Sequence, residues 1–390
     1  MFAVFATITV ICVFLQLYQY LVYPALLVLL AAVRGGRKVP ASVPDAKTTM
    51  IICAHNEAGV IGQKIENSLA LDPLPDEIIV VDDGSDDGTP DIVAGFTDTT
   101  VPVRLITGFP RGGKSAAMNR GAAAAAHEIL VFSDATEMYE TSAVRHLVAE
   151  FSDPSVAVAS GAHRIKPISR DEGAGLTGKS EGLYWRYEEK IRKSESDLGA
   201  TVASVGAILA IRRDDWRDLP PGTINDDAWI TMSNLARGRN VRYADKAVSW
   251  EEANVSTDQE ATRRRRISAG RLLLITQKDV WPLSRPWVLA AFLSHKVLRL
   301  ALPLLLIAGA VSNLIAVALR PSAGFFVLLL AGHILAFGLA YMGYYAEQHQ
   351  RRWRLPHLAY HILRANFAGL QAYADLLRRR SFLKWEKPSR

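Results

Sequence analysis

Cysteine is scarce in this chain of 390 residues, which contains only Cys12 and Cys53. They lie in separate apolar runs, so the sequence predicts neither a disulfide framework nor a cysteine-based zinc site. Hydrophobic residues make up 49% of the chain and charged residues 22%, which indicates a polar domain joined to very apolar segments. The net charge of +6 would suit nucleic acid, anionic lipid or a phosphorylated substrate, and charge alone does not separate these classes.

Charged residues are absent from three long stretches of the chain. The first, Phe2–Val33, exceeds the roughly 20 apolar residues that cross a bilayer as a helix. A cleaved signal peptide is the alternative, but the run is too long for one and no basic segment precedes it. Leu300–Leu319 and Ala323–Ala346, separated by three residues, predict a membrane hairpin. We therefore expect a transmembrane helix over 1–33 and two more over 300–346.

Basic residues accumulate on one side of these segments, at Arg34, Arg37, Lys38, Arg351, Arg352 and Arg354. The positive-inside bias then places residues 35–285 and the tail in the cytoplasm, as in a multi-pass protein of the cell (inner) membrane. Aromatic, apolar and basic residues mix in 281–299 and 347–390, which predicts an interfacial amphipathic helix and an amphipathic cytoplasmic tail. Nucleic acid is disfavoured, because the arginines are membrane-adjacent and no aromatic-basic interleaving is seen.

The intervening segment, 40–280, is predicted to be one domain, and its residues 48–135 alternate strand and helix signals. Short runs rich in β-branched residues occur at 50–54, 77–81, 103–107 and 128–132, and helix patterns at Ala58–Leu69, Gly88–Phe96 and Ser115–Ala126. This alternation predicts a doubly wound α/β fold with a Rossmann-like, mostly parallel sheet. Such sheets bind ligands beyond the carboxyl ends of their strands, where acidic residues follow three of the runs.

These acidic motifs resemble those of a known family. ICAHNEAGVIGQKIENSL, IIVVDDGSDDGT, GGKSAAMNRGAAAA and VFSDAT, followed by Asn225-Asp226-Asp227 and Arg263–Gly270, resemble the family 2 inverting glycosyltransferases of GT-A fold. The layout is similar to the membrane branch that contains cellulose, chitin and hyaluronan synthases. The resemblance implies transfer of a sugar from a nucleotide-diphosphate sugar, by family habit a UDP-sugar, to a saccharide or lipid-linked acceptor.

The resemblance assigns donor binding to residues near the predicted strand ends. Asp82 and Asp83 can accept hydrogen bonds from a uracil N–H or from ribose hydroxyls, although Asp-Gly-Ser-Asp-Asp-Gly could also be turn chemistry alone. Glu57 and Asp83 match the family's nucleoside-binding acids. Lys114 and Asn119 match its other donor contacts.

Asp134 is the candidate metal ligand, since a carboxylate at a strand end can hold Mg²⁺ or Mn²⁺ against a diphosphate. Family members usually carry a second acid two residues later, but this chain has Thr136 there. A hydroxyl is a weaker ligand than a carboxylate, which leaves the geometry of the metal site in doubt. Glu137 is an alternative ligand.

Asp227 matches the family's general base, which deprotonates the acceptor hydroxyl as it attacks the anomeric carbon. An acid at a helix start also fits a capping role, and the two interpretations are compatible. Arg264 and Arg266 match the phosphate-binding arginines. Arg263 and Ile267 stand where related synthases carry Gln and Trp, so processive polymerisation is not implied.

The acceptor side is less defined. Gly206 lies in a small-residue segment that could admit an acceptor, and Trp250 or Trp185 could stack on a sugar, although tryptophan more often belongs to the core. Three predicted spans would form only a narrow channel for a polymer in one chain. A homo-oligomer or a separate export partner is therefore a further possibility. The alternatives are a P-loop NTPase, since Gly108–Ser115 satisfies the Walker A spacing, and a non-catalytic nucleotide-sugar-binding scaffold.

Overall fold

The computed structural model describes residues 1–37, 43–166, 176–252, 257–349, 351 and 353–378, without the side chains of 176–185 and 257–261. The predicted domain boundary at residue 40, the side chain of Trp185 and the last part of the predicted tail, 379–390, lie outside the described residues.

The described residues contain eight strands. They are β1 (Thr48–Ala54), β2 (Glu77–Asp82), β3 (Val103–Ile106), β4 (Ile129–Asp134), β5 (Met138–Tyr139), β6 (Val156–Lys166), β7 (Ile208–Arg212) and β8 (Asn240–Glu252). They form one sheet in the order β3-β2-β1-β4-β7-β6-β8-β5. The four strands predicted from β-branched runs are therefore confirmed as β1 to β4.

The sheet is mostly parallel on one side and mixed on the other. β1 pairs in parallel with β2 and β4, and β2 with β3. β7 runs antiparallel to β4 and β6, β8 is parallel to β6, and β5 is antiparallel to β8. The carboxyl ends of β1, β2 and β4 therefore meet at one edge, where the predicted sheet was expected to bind its ligand.

Helices cover both faces of the sheet and extend beyond it. They are α1 (Phe2–Leu17), α2 (Tyr23–Arg34), α3 (Ile61–Leu69), α4 (Thr89–Ala94), α5 (Lys114–Ala124), α6 (Ala143–Ala149), α7 (Leu176–Asp197), α8 (Asp226–Ala236), α9 (Thr257–Leu274), α10 (Pro286–Phe292), α11 (Leu298–Leu319), α12 (Gly324–Gln348) and α13 (Arg354–Leu377). Turns of π-helix, Tyr18–Val22 and Leu293–Val297, join α1 to α2 and α10 to α11.

The core has two layers because successive strand residues point to opposite faces of the sheet. Ile51 and Val81 pack with Met118 of α5 on one face. Ile52 packs with Ile65 of α3 on the other. Both faces of β1, β2 and β4 are thus buried, which is why their sequences are continuously apolar rather than alternating.

Three helical runs in the described part of the chain are long and apolar enough to cross a membrane: Phe2–Arg34, Pro286–Leu319 and Gly324–Gln348. α1 packs along α11, where the Oγ1 of Thr9 lies 2.9 Å from the Oγ of Ser312. Small polar side chains allow such close helix contacts in membranes. The predicted boundary between an interfacial segment 281–299 and a span from residue 300 falls inside one continuous helical run, so that boundary stays a prediction.

A buried polar network joins these helices to the α/β domain. His295 Nδ1 lies 2.6 Å from Glu195 Oε1, to which the Tyr23 hydroxyl also donates a hydrogen bond at 2.8 Å. On the other side of the ring, Glu188 accepts from Arg299 at 2.8 Å. Buried charges require partners of this kind, and these partners come from α2, α7 and the run Pro286–Leu319. The network therefore fixes the apolar helices against the domain.

The close packing of α5 on the sheet predicts a stability effect. A Cβ at Gly121 would lie 2.5 Å from Ile51 Cγ2 and 3.1 Å from Val81 Cγ2. Both methyl groups belong to β-branched core side chains that cannot move freely. We expect Gly121→Ala to destabilise the protein by about 1–3 kcal/mol, which lowers the melting temperature by roughly 2–4 °C per kcal/mol, measured by tryptophan fluorescence in detergent.

The matched control is Gly62→Ala in α3, where a Cβ would make an ordinary contact of 3.7 Å with Ile92. Alanine favours a helix over glycine, so this variant is expected to melt at or slightly above the temperature of the unmodified protein. Equal melting temperatures for the two variants would contradict the described packing of α5.

Candidate active site

Acidic residues from separate elements gather at the carboxyl edge of the sheet. Asp83 follows β2, Asp134 ends β4, and Asp226 and Asp227 form the first turn of α8. Their backbone positions are set by strand ends and a helix start, which are rigid parts of the fold. The carboxylates are therefore presented toward a common region with little freedom of the main chain.

Lys114, the first residue of α5, links two of these acids. Its Nζ lies 2.7 Å from Asp134 Oδ1 and 3.1 Å from Asp226 Oδ2. Burial alone would lower the pKa of Lys114, but the two carboxylates raise it above its usual value. The lysine is therefore a permanent cation at the centre of the site. Its position suits an anionic group such as a diphosphate.

Asp83 holds the loop that precedes α5. Its two carboxylate oxygens accept hydrogen bonds from the N–H groups of Gly112 at 2.8 Å and Gly113 at 2.7 Å. A P-loop uses such N–H groups to cradle phosphates, but here a carboxylate of the same chain already occupies them. This contact argues against the P-loop interpretation of Gly108–Ser115.

Asp82 and Glu57 are both buried. The Asp82 carboxylate accepts from the Ser85 N–H at 3.3 Å and from the Thr107 hydroxyl at 3.1 Å. The Ser85 contact is that of a turn, so the turn chemistry left open for this motif applies to Asp82, and the Thr107 contact joins it to the end of β3. The Glu57 N–H donates to the Thr89 hydroxyl at 2.8 Å, which fastens the end of β1 to α4 beside the acidic edge.

Asp227, in the first turn of α8, has a pKa that its surroundings raise. Burial and the neighbouring Asp226 raise the pKa of Asp227, and Lys296 and Lys114 oppose this rise only in part. A Cβ at Gly206 would lie 3.3 Å from both Asp226 Oδ2 and Asp227 Cβ. Gly206 therefore lies against this pair, and a larger side chain there would crowd it. Its acceptor role stays a prediction.

Two predicted site residues make contacts of another kind. The Asn119 side chain donates to the Leu219 carbonyl at 3.0 Å and accepts from the Leu219 N–H at 2.9 Å. It fastens α5 to the segment before α8. The Trp250 Nε1–H donates to Glu140 at 2.9 Å. Neither side chain is brought to the Lys114 centre by these contacts.

The four adjacent arginines of α9 point in different directions. Arg266 interacts electrostatically with Asp226 and Asp134, and Arg263 with Glu251. The pKa of His361 in α13 is lowered to about 4, mainly by burial and in part by the charge of Arg264. Arg264 therefore lies near α13. Arg265 forms a two-point ion pair with Asp375 of α13.

Of the two arginines predicted to bind phosphate, the structure places Arg266 at the acidic edge and Arg264 against the tail helix. Arg263 is the residue that sequence reasoning did not assign. Residues three apart share a helix face, so the i, i+3 spacing of Arg263 and Arg266 is the signal that could have identified it.

A further cluster lies next to Asp134. Glu137, His163 and Glu251 bring one ligand atom each to within 4.8 Å of one another. Of these, sequence reasoning named only Glu137, because His163 and Glu251 stand in strands without a recognisable motif. Thr136 is half-buried two residues after Asp134. Carboxylate and imidazole groups suit a divalent cation, so the residues present fit a metal at this edge of the sheet.

Comparison with known proteins agrees with this architecture. Residues 49–218 match the model of the family described as Glycosyl transferase family 2. The chain is 24% identical over 207 residues to a poly-beta-1,6-N-acetyl-D-glucosamine synthase of Staphylococcus aureus (strain MSSA476), covering 52% of this chain and 49% of that protein. It is 26% identical over 227 residues to the probable glycosyltransferase YdaM of Bacillus subtilis (strain 168), covering 53% and 50%. The chain thus spans about half the length of the curated relatives it matches.

A solved structure resembles the chain over almost its whole length. The mannosyltransferase PcManGT from Pyrobaculum calidifontis, in complex with GDP-Man and Mn²⁺, superposes with a TM-score of 0.70 at 22% identity. The match covers 96% of this chain and 99% of that chain. The likeness confirms the predicted GT-A fold.

The different directions of the arginines predict unequal effects on nucleotide binding. Arg266→Ala removes the guanidinium that faces Asp226 and Asp134, whereas Arg264→Ala removes one that faces α13. A hydrogen bond to a charged group contributes about 1.5–3 kcal/mol, so Arg266→Ala is expected to weaken UDP or GDP binding by about tenfold or more. Calorimetric titration of both variants provides the measurement. An equal loss in Arg264→Ala would contradict the described orientation of α9.

Proposed function

Because residues 49–218 match the model of glycosyl transferase family 2, we propose that this protein is an inverting glycosyltransferase. It transfers a sugar from a nucleotide-diphosphate sugar to a saccharide or lipid-linked acceptor at the cytoplasmic face of the cell membrane. The product belongs to a surface saccharide or exopolysaccharide.

The observation that carries this proposal is the environment of Asp227. Its pKa is raised by burial and by Asp226, and the space left by Gly206 opens onto the pair. A carboxylate with a raised pKa is a stronger base. Asp227 takes the proton of the acceptor hydroxyl while the hydroxyl oxygen forms a bond to the anomeric carbon. The bond from that carbon to the diphosphate breaks on the opposite side, which inverts the configuration.

The cations at the sheet edge support the departure of the diphosphate. Lys114 and Arg266 both face Asp134, so they can stabilise the negative charge that grows on the leaving group. Asp134, with the nearby Glu137 cluster, would hold Mg²⁺ or Mn²⁺, which supplies further charge neutralisation when bound. UDP-sugars are the first donors to test, followed by GDP-mannose, the donor in the PcManGT structure.

The position of the apolar helices supports a membrane-side acceptor. Lys296 belongs to the helical run Pro286–Leu319 and acts electrostatically on Asp227. The base therefore lies next to a helix that is long and apolar enough to enter the bilayer. A lipid-linked acceptor or a saccharide held at the membrane surface could reach it from that side. Assembly into an oligomer or with an export partner remains a separate prediction.

A donor screen tests the proposal. Purified full-length protein in nanodiscs is incubated with single sugar nucleotides and Mg²⁺ or Mn²⁺, and release of the nucleoside diphosphate is followed. Metal-dependent release from one sugar nucleotide is expected. Silence with every donor, together with ATP hydrolysis that requires Lys114, would support the P-loop alternative. Donor binding without any release would support the scaffold.

Replacement of the base gives a sharper result. Asp227→Asn keeps the shape of the side chain but cannot accept the proton, so we expect kcat to fall by about 10²–10⁴-fold, the usual contribution of a general base. The control is Asp214→Asn, at a residue in the Arg213–Asp215 turn, which is expected to keep full activity. Full activity of a folded Asp227→Asn protein would contradict the role of Asp227.

The charge of Lys114 predicts a shift in the pH profile. Lys114 lowers the pKa of Asp227, so Lys114→Met should raise that pKa further. The base works only when deprotonated, and activity therefore increases as pH rises through its pKa. The acidic limb of the kcat profile is expected to move to higher pH in Lys114→Met, measured across a series of buffers. An unmoved limb would show that the group titrating there is not Asp227.

A further inference from the structure

Glu137, His163 and Glu251 come from three segments that the sheet places side by side. β6 pairs with β8 so that His163 lies opposite Ser249 and Ile165 opposite Glu251. β5 pairs with β8 so that Tyr139 also lies opposite Ser249. Residues two apart in a strand share a face, so the pairing directs His163 and Glu251 to the same face of the sheet. Glu137 stands immediately before β5.

The three side chains are close and largely shielded from solvent. Glu137 Oε1 lies 3.0 Å from His163 Nδ1, and His163 Nε2 lies 3.6 Å from Glu251 Oε2. Glu137 and His163 are 2% and 7% exposed, whereas the Glu251 side chain keeps 34% of its surface open. The cluster is thus a shielded group of ligand atoms with one open side.

The backbone at Glu137 is held in place by α3. The Nζ of Lys64, a fully buried residue of α3, donates to the Glu137 carbonyl at 2.6 Å and lies over the Tyr139 ring. This contact fixes the turn between Asp134 and β5. The position of the Glu137 side chain is therefore set by a fixed main chain.

The spacing suits ligands of one ion. One ligand atom from each of the three side chains lies within 4.8 Å of the other two, so the three atoms can surround a single ion.

We propose that Glu137, His163 and Glu251 bind a divalent first-row transition metal ion, with Mn²⁺ as the ion to test. An imidazole ligand favours such an ion over Mg²⁺, which prefers oxygen ligands and retains water. The cluster lies beside Asp134 and supplies the carboxylate and imidazole ligands that Thr136 does not provide. Its use in sugar transfer rests on the proposed function, but metal binding by the cluster does not.

The test measures metal binding without any sugar nucleotide. Full-length protein in detergent, with its purification tag removed, is titrated with Mn²⁺ and followed by electron paramagnetic resonance. A bound ion with nitrogen hyperfine coupling from a directly coordinated imidazole is expected. His163→Ala should abolish that coupling and weaken Mn²⁺ binding by more than the roughly 10–100-fold that loss of a supporting group costs. The ratio of Mn²⁺ affinity to Mg²⁺ affinity should also be smaller in His163→Ala than in the unmodified protein.

Controls separate a ligand from a structural residue. His146→Ala, in α6, removes a histidine outside the cluster and should keep both affinity and nitrogen coupling. Glu251→Gln preserves the size of the side chain and should weaken Mn²⁺ binding while the coupling from His163 remains. The unmodified protein alone is already decisive, because a bound Mn²⁺ without nitrogen coupling would overturn the proposal even if a variant failed to fold.

The remaining outcomes also decide the matter. Failure of the unmodified protein to bind Mn²⁺, or unchanged binding in His163→Ala, would show that the cluster is a structural histidine held between two acidic side chains. If that protein still turned over a sugar nucleotide, the proposed function would stand without this site. Mn²⁺ binding through His163 in a protein inactive toward every donor would support the metal site and contradict the glycosyltransferase proposal.

Discussion

The ammonium of Lys114 is held between two carboxylates, 2.7 Å from Asp134 and 3.1 Å from Asp226. These acids belong to the end of β4 and the start of α8, so one cation connects distant parts of the chain at the edge of the sheet. Without it, two partly buried carboxylates would face each other at a high electrostatic cost. Gly206 and Arg266 lie around the same point, and the geometry of the site depends on this pairing.

One of the long apolar helical runs, Pro286–Leu319, also contributes to the candidate active site. The buried contacts of His295 with Glu195 and Glu188 fix the run Pro286–Leu319 against α7. The next residue, Lys296, acts on Asp227. A shift of this helix would therefore change the electrostatic environment of Asp227, which couples the proposed chemistry to the position of the apolar helices.

Sequence patterns predict local features of this protein better than distant contacts. β1, β2 and β4 are predictable because runs of β-branched residues stop at turn residues. The pairing of Asn119 with Leu219 is not, since it depends on how α5 packs against a segment 100 residues away. The arginines of α9 lie between these cases. Helical spacing separates Arg264 from Arg266, but only the tertiary structure shows that α13 takes the Arg264 side.

In the proposed reaction one carboxylate, Asp227, drives a direct displacement at the anomeric carbon. Such a displacement changes the anomeric configuration once, because the acceptor attacks from the side opposite the diphosphate. Proton NMR of the product formed from an α-linked sugar nucleotide measures this directly through the coupling constant of the new anomeric proton. A β-linked product is the result that this account predicts, and an α-linked product would contradict it.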